Sequence, residues 1–188
     1  MPNLTDTRYK IYGDSSDIKK ILDTINSAKY LSESEILREL KASEENLKTH
    51  ILTGYLYDWY KETDECLCLY TTEEWGITDF SILLKKLMPD LEIYYMVEEP
   101  GMGLYLTNDV HNDIFGIKCR VEITINENTE VNYFRTEEEA LEFISSTFNT
   151  AINSRKDVRD LNKSLPDDDS VELDIFEYYN LEYEDLYL

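Results

Sequence analysis

The chain has 188 residues and a formal net charge of -22 at pH 7, because 40 acidic residues stand against 18 basic ones. A field of this sign repels nucleic-acid phosphates and anionic lipid and attracts basic partners. Since phosphate binding needs clusters of Lys and Arg, direct binding to DNA, RNA or a membrane surface is not expected.

Hydrophobic periodicity in the first hundred residues predicts both strands and helices. The spacing of apolar residues between Ile18 and Ile25 is that of an amphipathic helix, and the alternation that starts at Ile51 is that of a strand. The predicted elements are a strand at 8–12, helices near 17–26 and 34–41, a short turn at 43–48, a hairpin at 51–72, a helix that begins at Thr78–Asp79 and ends before Pro89, and a strand at 91–97.

The sequence after residue 97 also divides into strands, loops and a helix. A break at 98–103 is followed by a resumed strand at 104–106, a loop at 108–116 and a hairpin formed by 117–124 and 129–134. Thr136 is placed to cap a helix that has three glutamates in its first turn. Strands grouped with helices on one face predict an α+β fold rather than repeated βαβ units.

Three segments follow from this pattern: a single α+β domain over 1–152, a basic polar connector over 153–165 and an acidic aromatic tail over 166–188. The basic residues of the connector are Arg155, Lys156, Arg159 and Lys163. The tail contains nine carboxylates and five aromatic residues but no Lys or Arg, and it leaves a net charge of -13 on residues 1–165. The acidity therefore belongs to the whole chain, and the aromatic content distinguishes the tail.

The tail is the predicted partner-binding surface. Val171, Leu173 and Ile175 alternate with acids as in a strand, whereas the later aromatic residues fit helical spacing. Aromatic side chains are enriched at interfaces. An alternative is that the tail docks on its own domain, with its carboxylates outward. The predicted contact residues are Asp167, Asp168, Asp169, Glu172, Asp174, Glu177, Tyr179, Glu182, Tyr183, Glu184 and Asp185.

The stretches 54–59, 67–76 and 91–103 resemble the YubB ferredoxin-like family, uncharacterised proteins that are frequent on plasmids, phages and conjugative elements. The most specific features are Trp75, which precedes the middle helix, and the Glu-Glu-Pro-Gly turn at 98–101. The resemblance covers roughly residues 50–148. It implies a four-stranded antiparallel sheet with helices on one face, and it implies no activity and no functional residues.

A second candidate surface consists of Glu73, Glu74, Trp75, Glu98 and Glu99, which could converge at one end of the sheet. Two carboxylates beside an aromatic wall are the arrangement by which glycosidases raise a pKa. Acid pairs arise often in so acidic a chain, and coincidence is the favoured interpretation. No catalytic residue is therefore assigned, and the chain is expected not to be an enzyme.

No metal and no cofactor is expected from the sequence. The polar loop that contains Asp109, His111 and Asp113 lacks the spacing of a calcium-binding EF-hand. Cys66 and Cys68 lie on one face of a strand but lack the two-residue spacer of zinc and redox pairs, so they are interpreted as buried core thiols. Three cysteines without framework spacing, and a start without a signal pattern, fit the cytoplasm.

These observations favour a non-catalytic acidic interaction protein of a mobile element that binds a basic protein. One version is a DNA mimic that occupies a nuclease or methylase of a restriction or defence system. If the tail were helical, its nine charges would be spaced ~4 Å apart, near the ~3.4 Å per phosphate of one DNA strand. The alternatives are an immunity protein that neutralises a basic toxin and a carboxylate-based hydrolase. The oligomeric state is left open.

Overall fold

A computed structural model describes residues 4–74 and 79–179. Its helices are α1 (Ser15–Ser27), α2 (Glu33–Glu39), α3 (Glu44–Thr49), α4 (Phe80–Leu87), α5 (Glu137–Phe148) and α6 (Arg155–Asn162). Its strands are β1 (Leu4–Tyr12), β2 (Tyr55–Thr63), β3 (Cys66–Glu74), β4 (Glu92–Glu99), β5 (Leu104–Thr107), β6 (Cys119–Ile125), β7 (Asn128–Phe134), β8 (Ser170–Ile175) and β9 (Glu177–Tyr178). The predicted α+β class is confirmed.

The chain divides into two compact units. The first contains Met1–Asp109 and Tyr178–Leu188, and the second contains Val110–Glu177. The sequence analysis placed the first boundary at residue 152 instead. The difference arises because β6, β7 and β8 pair with one another in a sheet of their own. They also bury a separate apolar cluster that includes Val121, Ala140 and Ile144.

In the first unit, the strand order is β2-β3-β1-β4-β5-β9, and β1 is the central strand. It pairs antiparallel with β3 and with β4 along most of its length. Alternate residues of β1, from Thr5 to Ile11, are buried, as expected for a strand with one face against helices. The core combines this face with apolar side chains of α1, α2 and α4, among them Ile21, Leu37 and Leu84.

The chain reverses direction where the sequence analysis expected one strand to resume. A short 3-10 helix, Pro100–Met102, follows β4, and Gly103 adopts a left-handed backbone with φ of 63°. β5 then pairs antiparallel with β4, with Val97 opposite Leu106. The Pro-Gly turn thus connects two neighbouring strands. Gly103 permits this turn because a residue without a Cβ tolerates positive φ.

In the second unit, β6 lies between β7 and β8 and pairs antiparallel with both. The β6–β7 turn has positive φ at Asn126 and Glu127, the backbone that a two-residue hairpin turn requires. Thr136 and Glu139 form a capping box at the start of α5, in agreement with the predicted helix start.

The segment predicted as a polar connector forms helix α6. Ser154 caps its first turn, and Val158 is its buried residue. At the other end, the Asn162 amide nitrogen donates to the carbonyl of Val171 at 2.6 Å, and its amide oxygen accepts the Val171 N–H at 2.7 Å. This side chain therefore satisfies backbone groups of β8 that a neighbouring strand would otherwise bind.

The strands between residues 50 and 148 do not form the single four-stranded sheet that the family resemblance implies. β2, β3 and β4 belong to the first sheet, and β6 and β7 belong to the second. β1, which lies outside the resemblance, separates β3 from β4. Pairing over this distance in sequence leaves no mark in local periodicity. Within residues 4–74 and 79–179, no helix is long and apolar enough to cross a membrane.

Val171 tests whether β8 is a structural part of the second unit. Its side chain is 1 % exposed and packs in the core of that unit. Val171→Ala is expected to lower the free energy of unfolding by roughly 2 kcal/mol, because it leaves a cavity. Urea unfolding followed by circular dichroism measures this change. Glu172→Ala, on the opposite face, is the control and should change stability by less than about 0.5 kcal/mol; equal effects of both would contradict the assignment.

Candidate functional site

The apolar side chains of β8 anchor the acidic C-terminal segment. Val171 lies opposite Ile123, and Leu173 lies opposite Val121 in the β6 register. These residues face the apolar cluster of the second unit. The Phe176 N–H extends the pairing by donating to the Lys118 carbonyl at 3.0 Å. As predicted, Val171, Leu173 and Ile175 alternate as in a strand.

Two of the predicted contact acids are engaged within the second unit. The Asp174 carboxylate lies 3.4 Å from Arg120, which is 5 % exposed and also forms an ion pair with Glu122. The Asp169 carboxylate accepts the Asn126 N–H at 2.9 Å. Asp174 thus neutralises part of the charge of a buried guanidinium, and Asp169 stabilises the β6–β7 turn. Both acids have structural roles that were not predicted from the sequence.

Four other predicted contact acids are exposed to solvent, and we call them the acidic edge: Asp167, Asp168, Glu172 and Glu177. Glu172 lies opposite Glu122 on the outer face of the second sheet. Of the basic residues of α6, Arg155 pairs with Glu137 at 3.0 Å and Lys163 pairs with Asp160 at 2.6 Å. These two basic residues therefore pair with acids outside the acidic edge.

Tyr179 is held by backbone contacts of the first unit. Its N–H donates to the Thr107 carbonyl at 2.8 Å, and its carbonyl accepts the Tyr95 hydroxyl at 2.8 Å. The predicted helical turn after Phe176 is replaced at Glu177–Tyr178 by strand β9. The predicted contact residues Glu182, Tyr183, Glu184 and Asp185 lie outside the described residues.

The second candidate surface is split between the two faces of the first sheet. Glu73 lies opposite Thr5, and Glu98 lies opposite Asp6, one residue further along β1. Because successive side chains of a strand point to opposite faces, Glu73 faces the helices and Glu98 faces away from them. Glu98 pairs with Arg8 at 3.0 Å. Glu74 is exposed, and Trp75 lies outside the described residues.

Glu73 is a fully buried acid within a small polar cluster. Its side chain accepts hydrogen bonds from the Thr7 hydroxyl at 2.6 Å and from the Thr71 hydroxyl. Burial raises its pKa to about 7; the hydrogen bonds from the two threonines oppose this shift, and the charge of Asp6 adds to it. A carboxyl of this kind can bind and release a proton near neutral pH.

Further acids are enclosed near the same end of the first sheet. Glu99 is 2 % exposed, and its Oε1 atom has no hydrogen-bond partner among the described residues. Glu33 is fully buried and accepts the Gly54 N–H at 3.2 Å. A hydrolase needs its two carboxylates in a cleft that admits substrate. Because Glu73, Glu99 and Glu33 are all buried, they do not present such a pair to solvent.

The polar loop after β5 has a structural role at its start. The Asn108 amide oxygen accepts the Tyr95 N–H at 2.7 Å, and its nitrogen donates to the Ile93 carbonyl at 2.9 Å. Asn108 thus continues the pairing of β4 where β5 has ended. Over the ranges 4–74 and 79–179, Asp109, His111 and Asp113 do not form a group whose ligating atoms lie close enough for one metal ion.

The two cysteines of β3 are buried, but they lie on the face of the sheet that is turned away from the helices. Cys66 lies opposite Tyr12, and Cys68 lies opposite Lys10. Both thiols approach one carboxylate oxygen of Glu62, at 3.3 Å from Cys66 and 3.9 Å from Cys68. Burial, followed by the Glu62 hydrogen bond, raises the pKa of Cys66 to about 12. We call Glu62, Cys66 and Cys68 the thiol cluster.

Glu62 was not identified from the sequence, because its proximity to the thiols depends on how β2 pairs with β3. The β2–β3 register shifts between Lys61 and Thr63, and Glu62 is the extra residue. Tyr60 lies opposite Cys68, and alternation places Glu62, two residues later, on the same face as both thiols. The acidic residue beside a Cys-x-Cys pair was visible in the sequence, but the register of the two strands was not.

Comparisons with known proteins gave no match. No protein-family model matches the chain. No curated protein and no solved structure matches it either.

Glu73 makes stability depend on pH in a defined direction. Its pKa is about 7 in the folded chain, against an ordinary value of 4.5, so the folded state holds the proton more tightly. The free energy of unfolding should therefore decline as pH rises from about 4.5 to 7, by up to about 3 kcal/mol from this group. Glu73→Gln should remove that share of the decline.

Urea unfolding at pH 5 and pH 8 measures the effect. The matched control is Glu74→Gln, since Glu74 is the neighbouring residue but is exposed. Glu74→Gln should keep the decline of the original chain. If both variants lose stability equally between the two pH values, Glu73 does not titrate as stated.

Proposed function

We propose that this chain is a non-catalytic acidic interaction protein that binds a basic protein through the acidic edge. The observation that carries the proposal is the fixed position of these carboxylates. On the apolar face of β8, Val171 is buried in the second unit and Leu173 and Ile175 are half-buried against the same cluster, while Glu172 on the other face is exposed. A preformed charged surface loses little conformational freedom when it binds.

Charge supports the same proposal over the whole chain. Val110–Glu177 contains 16 acidic and 7 basic residues, and the rest of the chain contains 24 and 11. A basic partner is therefore attracted at long range, and complementary charges raise the rate of encounter. The partner class that fits is a protein with a cationic nucleic-acid cleft, such as a nuclease or methylase.

If the chain is a DNA mimic, it would act by filling the DNA-binding cleft of its partner. It would not act by presenting carboxylates at the phosphate spacing along a helix. Residues on one face of a strand are ~6.6 Å apart, so β8 does not reproduce the ~3.4 Å rise per phosphate. An immunity protein that covers a basic nuclease toxin would use the same carboxylates. Competition with DNA for the partner separates the DNA mimic from an inhibitor that binds elsewhere.

We also propose that the first unit is ferredoxin-like and that the chain is related to the YubB family of mobile elements. The element order β1-α1-β2-β3-α4-β4, with α2 and α3 inserted, and the strand order β4-β1-β3-β2 support the fold. Three free cysteines are compatible with a cytoplasmic location.

The proposal predicts that position, and not only net charge, determines binding. One variant neutralises the acidic edge with Asp167→Asn, Asp168→Asn, Glu172→Gln and Glu177→Gln. A control variant removes four exposed acids of the first unit with Asp23→Asn, Glu39→Gln, Glu45→Gln and Asp90→Asn. Each variant loses four negative charges, so its long-range attraction for a basic partner falls by the same amount.

Binding is measured by titration against a restriction endonuclease and a DNA methylase, with and without duplex DNA as competitor, at low and high salt. The acidic-edge variant should bind at least about tenfold more weakly, and the control variant should bind within about threefold of the original chain. Equal losses in the two variants would contradict the acidic edge as the contact. Absence of salt-sensitive binding to either enzyme would contradict this partner class.

A further inference from the structure

The thiol cluster has the composition of a metal site. The ligating atoms of Glu62, Cys66 and Cys68 all lie within 4.8 Å of one another. A Cys-x-Cys pair on one strand places both thiols on the same face, since side chains alternate. Glu62 of the paired strand β2 lies on that face too, two residues after Tyr60, which is opposite Cys68, and its carboxylate approaches both sulfurs. The backbone geometry of the hairpin therefore brings the three ligand groups together.

The distances fit a tetrahedral ion. With Zn–S of about 2.3 Å and Zn–O of about 2.0 Å, the oxygen–sulfur edge of a tetrahedron is about 3.5 Å. The two observed distances from the Glu62 oxygen to the thiols, 3.3 Å and 3.9 Å, bracket that value. Side-chain movements of a few tenths of an ångström would therefore bring both oxygen–sulfur distances to that value.

Neighbouring side chains form hydrogen bonds with the ligand groups, while burial raises the pKa of both thiols, so that a metal ion must displace their protons. Tyr12 hydrogen-bonds to Cys66 and Tyr60 hydrogen-bonds to Cys68. Lys10 donates to both oxygens of Glu62, at 3.2 Å and 3.0 Å. Hydrogen bonds to bound sulfur and carboxylate orient the ligands and stabilise a metal site. Two thiolates, one carboxylate, one ammonium and one divalent cation also sum to zero charge.

We propose that Glu62, Cys66 and Cys68 bind one Zn²⁺ ion, with a water molecule as the fourth ligand. Thiolate and carboxylate ligands in tetrahedral geometry suit zinc, whereas Mg²⁺ and Ca²⁺ require oxygen ligands. Binding releases the two thiol protons to solvent and involves no change of oxidation state. The ion reaches the site from the Glu62 side, because that side chain is 40 % exposed.

Zinc in this position would join the two strands of the β2–β3 hairpin to each other. Glu62 lies on the edge strand β2, and the sulfurs lie on β3. A ligand that binds only the folded state stabilises it by mass action. The thermal midpoint of the reduced chain should therefore rise when Zn²⁺ is added.

The test is a titration of the reduced full chain with Zn²⁺ against a chromophoric chelator, repeated with Co²⁺ to record the thiolate-to-metal charge-transfer band. One ion per chain and a band from two thiolates are expected. Cys66→Ser and Cys68→Ser should each abolish the two-thiolate band, and Glu62→Gln should weaken binding at least about tenfold. The matched control is Cys119→Ser, which removes the buried thiol of the second unit and should leave binding unchanged.

Binding of equal affinity by the original chain and by the variant with both Cys66→Ser and Cys68→Ser would overturn the proposal, as would loss of binding in Cys119→Ser. If the cysteine variants do not fold, as judged by circular dichroism, Glu62→Gln decides, because its exposed side chain can change without loss of the core. An unchanged zinc affinity and cobalt band in Glu62→Gln would remove Glu62 from the site and contradict the assignment.

Discussion

The central position of β1 determines how the first unit is arranged. Because β1 pairs with β3 on one side and with β4 on the other, its two-residue period sets which side chains of all three strands face the helices. Tyr9 and Ile11 belong to the core, and Lys10 and Tyr12 belong to the other face. A shift by one residue would place Glu62's neighbours Cys66 and Cys68 in the core.

The same constraint explains the buried acids. The helix-covered face continues past the apolar residues to Thr5, Thr7 and Glu73, so the end of the core is polar. Burying a carboxyl is unfavourable unless its oxygens are hydrogen-bonded, and threonine hydroxyls supply these bonds to Glu73. The polar end of this core thus follows from strand register and is separate from the exposed acids on which the proposed function rests.

Local patterns were sufficient to predict the elements that carry a strong period or cap. Helices α1 and α5, the β2–β3 and β6–β7 hairpins and the alternation in β8 were anticipated. Helix α6 was not, because its sequence is polar and Val158 is its buried residue. The division into two sheets depends on pairing between residues far apart in sequence. The thiol cluster depends on the pairing of β2 with β3, and neither feature has a local signature.

The proposed function depends most on β8 (Ser170–Ile175) being a strand fixed in the second unit that presents carboxylates, and not part of a free tail. Amide hydrogen exchange of the intact chain tests it most directly. We expect that amides paired between β6 and β8, together with those of Val171 and Phe176, exchange as slowly as those of the β6–β7 hairpin. Exchange of the 170–176 amides at the rate of an unfolded chain, while the hairpin stays protected, would contradict it.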